Sequence, residues 1–411
     1  MKQKRIVVTG LGVLAPNGNN VPAYWEALLA GKSGIDTITK FDLEGFSVRI
    51  AGELTDFHPE EFLDPAQLRK LDPFSIYALI SAQEAWDQAG LSLDEEDPTR
   101  IGVMLGTGVG GIQTLEEQHT VLQTRSSRRV SPHFVPKMIA NIAGAQLSIR
   151  FGLEGPNQTV TSACASATDA IGLSARLMQY GDADVMVTGG AEASITPLTI
   201  AGFGNMRALS KRNDVPAEAS RPFDRDRDGF VLGEGAGIVV LETLEHARKR
   251  DATILAELIG YGASDDAFHV TQPSLSGPAR AMEGAIRDAG VQPEDVNYIN
   301  AHGTSTPFND KNETAAIRQV FGSYAEQLKI SSTKSMTGHL LGASGGIEAV
   351  ATVLSLQNQI APPTINYTTE DPECTLHYIP NQAESFPMQY ALSNSFGFGG
   401  HNAVLLLKTW S

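Results

Sequence analysis

The chain holds two cysteines, Cys164 and Cys374, and nine histidines, so the side chains able to do covalent chemistry are few. Cys164 stands in "TVTSACASATDAIG" (residues 159–172), a bed of small residues at the end of an apolar run. The β-branched run Thr159-Val160-Thr161 predicts a strand. Ala165 through Met178 predicts a helix, with Ala167, Ala170, Ile171, Ser174, Leu177 and Met178 on one face. Cys164 therefore falls on the first turn of that helix. Unpaired N–H groups and the positive dipole end there favour a thiolate, lowering a pKa that is ~8.5 in free cysteine. A buried structural cysteine is the alternative, and a nucleophile also needs partners. His302 in "NAHGTSTP", and Lys334 and His339 in "KSMTGHLLGASGG", are candidates, because each follows an apolar strand. Singly, either histidine would be read as bonding a turn or filling a core. Together, with flanking glycines that let backbone approach a ligand, they suit acyl transfer through a thioester.

The elements that must carry these residues repeat. "AWDQAGLSLDEEDPTRIGVMLGTG" from Ala85 and "AIRDAGVQPEDVNYINAHGT" from Ala285 share one plan: a helix end, a glycine stop (Gly90, Gly290), an acidic connection and an apolar strand. The strand-turn-helix around Cys164 likewise has a counterpart in "LKISSTKSMTGHLLGASGGIEAVATVLSLQ". The chain thus reads as two related α/β halves, 1–250 carrying the cysteine and 251–411 carrying the histidines and lysine. Strands alternating with helices predict mostly parallel strands, whose carboxyl ends are where chemistry gathers.

Three other patterns point elsewhere. "GLGVLA" at Gly10 matches a dinucleotide fingerprint, but "PNGNN" interrupts the helix that fingerprint needs. "GTGVGG" from Gly106 reads as a close-packed turn. Asp224, Asp226 and Asp228 in "FDRDRDGF" resemble a calcium loop, yet Arg225 and Arg227 interleave and the distant glutamate is missing; a solvated or salt-bridged turn is the reading. Cys164, His302 and His339 lack the short ligand spacing of a zinc site, so no metal is expected.

With 411 residues, 42% hydrophobic and 19% charged, the composition is that of a large globular enzyme. Two cysteines make no disulfide framework, which predicts a reducing, cytoplasmic setting. The start "MKQKRIVVTG" is too short in apolar residues for a signal peptide, and no stretch approaches a membrane span of ~20. A net charge of −16 argues against nucleic acid as a partner.

The whole chain resembles the β-ketoacyl-acyl carrier protein synthase II family, the type II condensing enzymes of the thiolase-like superfamily. The resemblance lies in "VVTGLGVLAPNG", "TSACASA", "ASRPFDRDRDGFVLGEGAG", "NAHGTSTPFND", "KSMTGHLLGASGGIEA" and "SNSFGFGGHN", in that order. It implies an α/β, thiolase-like fold of two duplicated halves layered α-β-α-β-α. It also implies decarboxylating condensation of an acyl thioester, held on Cys164, with malonyl-acyl carrier protein. In that reading His302 and His339 flank the malonyl thioester, Lys334 holds the histidines electrostatically, and Glu348 belongs to their network. The backbone of Cys164 and Phe398 stabilises the oxyanion while the Phe398 ring gates. Thr304 and Thr306 bond the pantetheine arm, and Val109 and Phe134 line the acyl pocket, Phe134 from a homodimer partner. Arg69, Lys70, Arg128, Arg129 and Arg207 match positions that receive the acidic carrier. No cofactor of the chain's own is implied, since the 4′-phosphopantetheine belongs to the carrier.

Several relatives stay open. A degradative thiolase needs a second cysteine in the loop that here reads "NSFGFGGHN", and Cys374 lies outside it. A chain-length-factor-like subunit lacks the nucleophile present here, and a carrier-binding scaffold would not need the reactive set. A ketosynthase of a specialised polyketide or aryl-polyene pathway would share every motif.

Overall fold

The computed structural model describes residues 4–410. Ten strands form one sheet: β1 (Ile6–Leu14), β2 (Ile101–Gly106), β3 (Asn157–Val160), β4 (Val185–Glu192), β5 (Gly235–Thr243), β6 (Ala256–Asp265), β7 (Tyr298–Asn300), β8 (Lys329–Ser331), β9 (Tyr390–Phe396) and β10 (His401–Thr409). Their spatial order is β8-β7-β9-β10-β6-β1-β5-β4-β2-β3. Read outward from the centre, β1-β5-β4-β2-β3 and β6-β10-β9-β7-β8 are the same arrangement. The directions repeat as well. β2 pairs in parallel with β3 and β4, as β7 does with β8 and β9, whereas β5 and β10 run antiparallel to both their neighbours. The sheet is therefore mixed, not mostly parallel. Each half closes on a returning hairpin-like strand that an alternating strand–helix reading does not reveal.

Four of the helices place the site: α1 (Pro73–Ala89), α2 (Ser166–Tyr180), α3 (Ser276–Ala289) and α4 (Ser344–Asn358). The outer pair, α1 and α3, packs on β1/β5 and on β6/β10 respectively. Both end at the glycines marked as stops, with Gly90 at φ 66° and Gly290 at φ 69°, a left-handed conformation that glycine adopts without steric cost. Between the half-sheets lie α2 and α4, which touch each other and strands of both halves. Their small residues allow that. Ser344 through Leu356 of α4 are all buried, as are Ala167, Ala170, Ile171 and Ser174 of α2. The outcome is five layers, helix–strand–helix–strand–helix, with the main core around the central helices. The "GLGVLA" stretch lies inside β1. A Cβ on Gly10 or Gly12 would fall within 2.0 Å or 1.8 Å of an α1 carbonyl, so these glycines serve helix–strand packing. Among the described residues no helix is long and apolar enough to cross a membrane.

Candidate active site

Cys164, His302, Lys334 and Phe398 all follow carboxyl ends of strands, β3, β7, β8 and β9, and the duplicated topology turns these ends toward one place. Cys164 sits in a 3₁₀ turn, Ala163–Ala165, immediately before α2. Ala163 holds φ 51°, a strained value for a residue with a Cβ, and the turn is over-determined by its bonds. Ser166 Oγ accepts from Ser162 N–H and donates to Ala163 O, while Ser162 Oγ donates to Asp169 at 2.5 Å. Tyr261, reaching across from β6, donates to the other oxygen of Asp169 at 2.6 Å. The elbow that aims the sulfur is thus tied to both halves.

His339 Nε2 lies 3.1 Å from Cys164 Sγ. On the far side of the ring, Nδ1 is 2.8 Å from Ser344 Oγ, which already accepts the Leu340 N–H. The Ser344 hydroxyl can donate to Nδ1, an arrangement that would place the ring proton on Nε2, facing the sulfur. The His302 ring stands edge-to-face to His339 with centroids 5.3 Å apart. Donor atoms of Cys164, His302 and His339 all lie within 4.8 Å of one another. His302 is set by Glu313, whose carboxylate accepts the N–H groups of His302 and Gly303 at 2.8 and 2.7 Å and the Asn394 amide at 3.1 Å. Burial pushes Glu313 up to about 7 despite those bonds.

Lys334 is 1% exposed and ion-paired with Glu348, itself 1% exposed, on α4. Neither lines the cavity, so Glu348 stands behind Lys334 and does not touch substrate. The charge of Lys334 acts through space. Burial, and then this charge, hold His302 and His339 well below the ordinary histidine range, so both rings are neutral. For Cys164 the expectation of a helix-lowered thiol fails. Burial pushes it up to about 11, against the smaller opposing effects of Lys334 and of the Phe398 and Cys164 N–H groups. Both N–H groups come close enough to the sulfur to favour its thiolate. Gly397 permits it, since a Cβ there would lie 3.0 Å from Cys164 N and 2.9 Å from Ser162 O.

The reactive trio opens on a cavity of about 440 Å³. Thr304 and Thr306 line it, with their hydroxyls 2.9 Å apart, as do Val109, Arg207 and Phe398. An aromatic chain runs along one wall, from Phe398 to Phe203 (6.4 Å), Phe230 (5.4 Å) and His339 (5.4 Å). Phe134, half-buried on a short helix (Phe134–Met138), does not line this chain's cavity. Arg69, Lys70, Arg128 and Arg129 are exposed, and of the five only Arg207 lines the cavity. Sequence reasoning missed Glu313, Asp169, Tyr261 and Glu192. Glu192, fully buried, accepts the Gly108, Val109 and Gly342 N–H groups at 2.6, 3.3 and 3.0 Å, joining the Val109 turn to the turn after His339. Asp169, Glu192 and Tyr261 are marked only by their type among small and apolar neighbours, and Glu313, in the polar run "NDKNET", by nothing local.

Comparison with known proteins adds to this geometry. The beta-ketoacyl synthase N-terminal domain matches residues 3–247, and the C-terminal domain of the same family matches residues 255–368. The chain is 51% identical over 409 residues to 3-oxoacyl-[acyl-carrier-protein] synthase 2 of Staphylococcus aureus (strain COL), covering 99% of each. It is 49% identical over 410 residues to the enzyme of that name from Coxiella burnetii (strain RSA 493 / Nine Mile phase I), again covering 99% of each. A solved type II polyketide ketosynthase, in complex with its acyl-carrier protein and bound to a hexaketide, superposes with TM-score 0.93 at 36% identity over the full length of both chains.

Proposed function

The chain belongs to the β-ketoacyl synthase family, and from that premise we propose how its site elongates fatty acids as a 3-oxoacyl-acyl carrier protein synthase. The acyl carbonyl of an acyl-carrier thioester is attacked by Cys164 Sγ. A new S–C bond forms, the carrier's S–C bond breaks, and the thiol proton leaves with the carrier's sulfur. The oxyanion of that step rests on the Cys164 and Phe398 N–H groups. Malonyl-carrier then enters beside His302 and His339. Its terminal C–C bond breaks, carbon dioxide departs, and the electron pair moves into an enolate whose oxygen takes hydrogen bonds from the neutral rings. The enolate carbon attacks the acyl-Cys164 carbonyl, the Cys164 S–C bond breaks, 3-oxoacyl-carrier is released, and the departing Cys164 thiolate takes one proton from solvent to restore the thiol. Burial, helped by the charge of Lys334 in its pair with Glu348, keeps both rings neutral, each with one N–H to donate.

The observation that carries this reading is the buried approach of His339 Nε2 to Cys164 Sγ, with His302 in the same 4.8 Å set. The relatives named 3-oxoacyl-[acyl-carrier-protein] synthase 2 are 51% and 49% identical, against 36% for the polyketide ketosynthase, which favours the fatty-acid over the polyketide reading. The pantetheine is the carrier's, and the chain brings no cofactor of its own to the chemistry. A boundary at 250/251 separates the repeated strand sets. The protein works in the cytoplasm as a homodimer. β3 ends the sheet with an unpaired edge, and Leu122, Val135, Ile149 and Tyr180 lie exposed on the nearby helices, a surface that a second copy would cover. Phe134 would then reach the partner's acyl pocket beside Val109.

Replacing the nucleophile tests the division of labour. Cys164→Ala abolishes acyl transfer and condensation, whereas Cys164→Gln, a mimic of the acylated thiol, keeps malonyl decarboxylation without condensation. Carbon dioxide release and product formation are assayed separately, and undiminished condensation in Cys164→Ala overturns the assignment.

A further inference from the structure

The "FDRDRDGF" stretch is a salt-bridged turn, with Arg225, Asp226 and Asp228 exposed and Asp224 and Arg227 turned inward. Asp224 is fully buried and Arg227 is 7% exposed, and the segment 221–229 wraps the loop that carries Thr304 and Thr306. Arg227 is the centre of the wrap. Its guanidinium donates to Thr306 O and Pro307 O, both at 3.2 Å, and to Asp224 O at 2.7 Å. Two carboxylates neutralise it, Asp371 at 2.5 Å and Asp310 at 3.3 Å. Around it, Gly229 N–H donates to Ser305 O at 3.1 Å, and Arg221 N–H donates to Ser305 Oγ at 2.9 Å. Ser305 needs that support, since its φ of 69° puts a residue with a Cβ in the left-handed region. That twist lets Thr304 and Thr306, two residues apart, turn their hydroxyls toward each other on the cavity wall.

We infer that Arg227 is a positioning residue for the carrier-borne substrate: by holding the carbonyls of Thr306 and Pro307, it fixes the threonine pair against which the pantetheine arm lies. The planar fork of a guanidinium matters because three carbonyls and two carboxylates surround it at fixed angles, which an ammonium cannot serve together. The inference rests on the condensing-enzyme reading, since only that reading brings an arm to these hydroxyls. It also gives the buried motif a task that packing alone would not. Arg227 does not line the cavity and touches no reacting atom.

The test compares two alkylating reagents aimed at the same sulfur: chloroacetamide itself, and a chloroacetamide carried on pantetheine. Each forms a bond to Cys164 Sγ with loss of chloride, and only the second uses the arm site. In Arg227→Met the arm-borne rate constant falls about tenfold relative to the free reagent, the size of one or two lost hydrogen bonds. A purely structural role moves both rates together and leaves their ratio unchanged, which overturns the inference. Should Arg227→Met fail to fold, Asp371→Asn removes one counterion while keeping the guanidinium. The ratio then falls by a smaller step in the same direction, and an unchanged ratio overturns the inference again. Failure of the functional reading looks different: the unsubstituted protein itself would show no saturable preference for the arm-borne reagent.

Discussion

At the scale of single residues, the site is a balance between burial and a few directed donors. The buried thiol is up at about 11, so helix position alone does not activate it, and the groups around the sulfur must. His339 is the nearest, at 3.1 Å, whereas His302 rides on a loop whose backbone is held by Glu313 of the helix Pro307–Phe321, and it faces the same space from the side. The two histidines therefore differ in a way that their matching sequence settings conceal. Loss of either donor leaves the enolate short of a hydrogen bond and lowers condensation by ~10²–10³. Acyl transfer separates them: His339→Ala slows acylation of Cys164 markedly, and His302→Ala leaves it near the parent rate. Single-turnover acylation, followed separately from condensation, checks this. Equal acylation rates in the two variants would show that the contact with the sulfur does nothing for the thiol.

At the scale of elements, buried ion pairs pin strand ends and helix starts far from the chemistry. Glu242, at the end of β5, is fully buried and accepts from Arg250, from His246 at 2.6 Å and from Thr9 of β1 at 2.5 Å. Burial alone would raise its pKa, but these partners outweigh it and bring Glu242 down to about 2. A carboxylate depressed in the fold contributes stability above its unfolded value of 4.5, and the contribution disappears as pH falls through that value toward 2. Glu242→Gln therefore costs about 3 kcal/mol at neutral pH and much less near pH 2, read from urea unfolding at both. A cost that did not shrink with acid would mean that packing, not charge, makes the contribution. The elements also show what a sequence discloses. The helix stops at Gly90 and Gly290, the strand before Cys164 and the repeated strand–turn–helix were legible, because local periodicity and glycine chemistry encode them. The antiparallel returns β5 and β10 were not, because direction depends on pairing between distant segments. Nor was the burial of "FDRDRDGF". Its charges look solvated until the partners Asp310 and Asp371, far along the chain, close around Arg227.

At the scale of the whole molecule, duplication is what makes a site possible. Each half supplies strand ends, α2 and α4 pack face to face between them, and the cysteine of one half meets the histidines and lysine of the other. Neither half alone holds a complete set. The roles of Cys164, His302 and Lys334 could be proposed from sequence because the motifs announce chemically unusual residues. The buried support of the site by Glu313 and Glu192 could not, since it depends on which distant backbone N–H groups come to face each carboxylate. One sulfur carries the growing chain between two carrier-bound substrates. Intact-mass spectrometry of the protein during a single turnover tests it most directly. With acyl-carrier alone, the account predicts a mass gain of one acyl group, mapped to Cys164 and missing in Cys164→Ala. Added malonyl-carrier then returns the protein to its starting mass as 3-oxoacyl-carrier and one equivalent of carbon dioxide appear. Product formed at full rate with no acyl group ever on Cys164 would contradict the account.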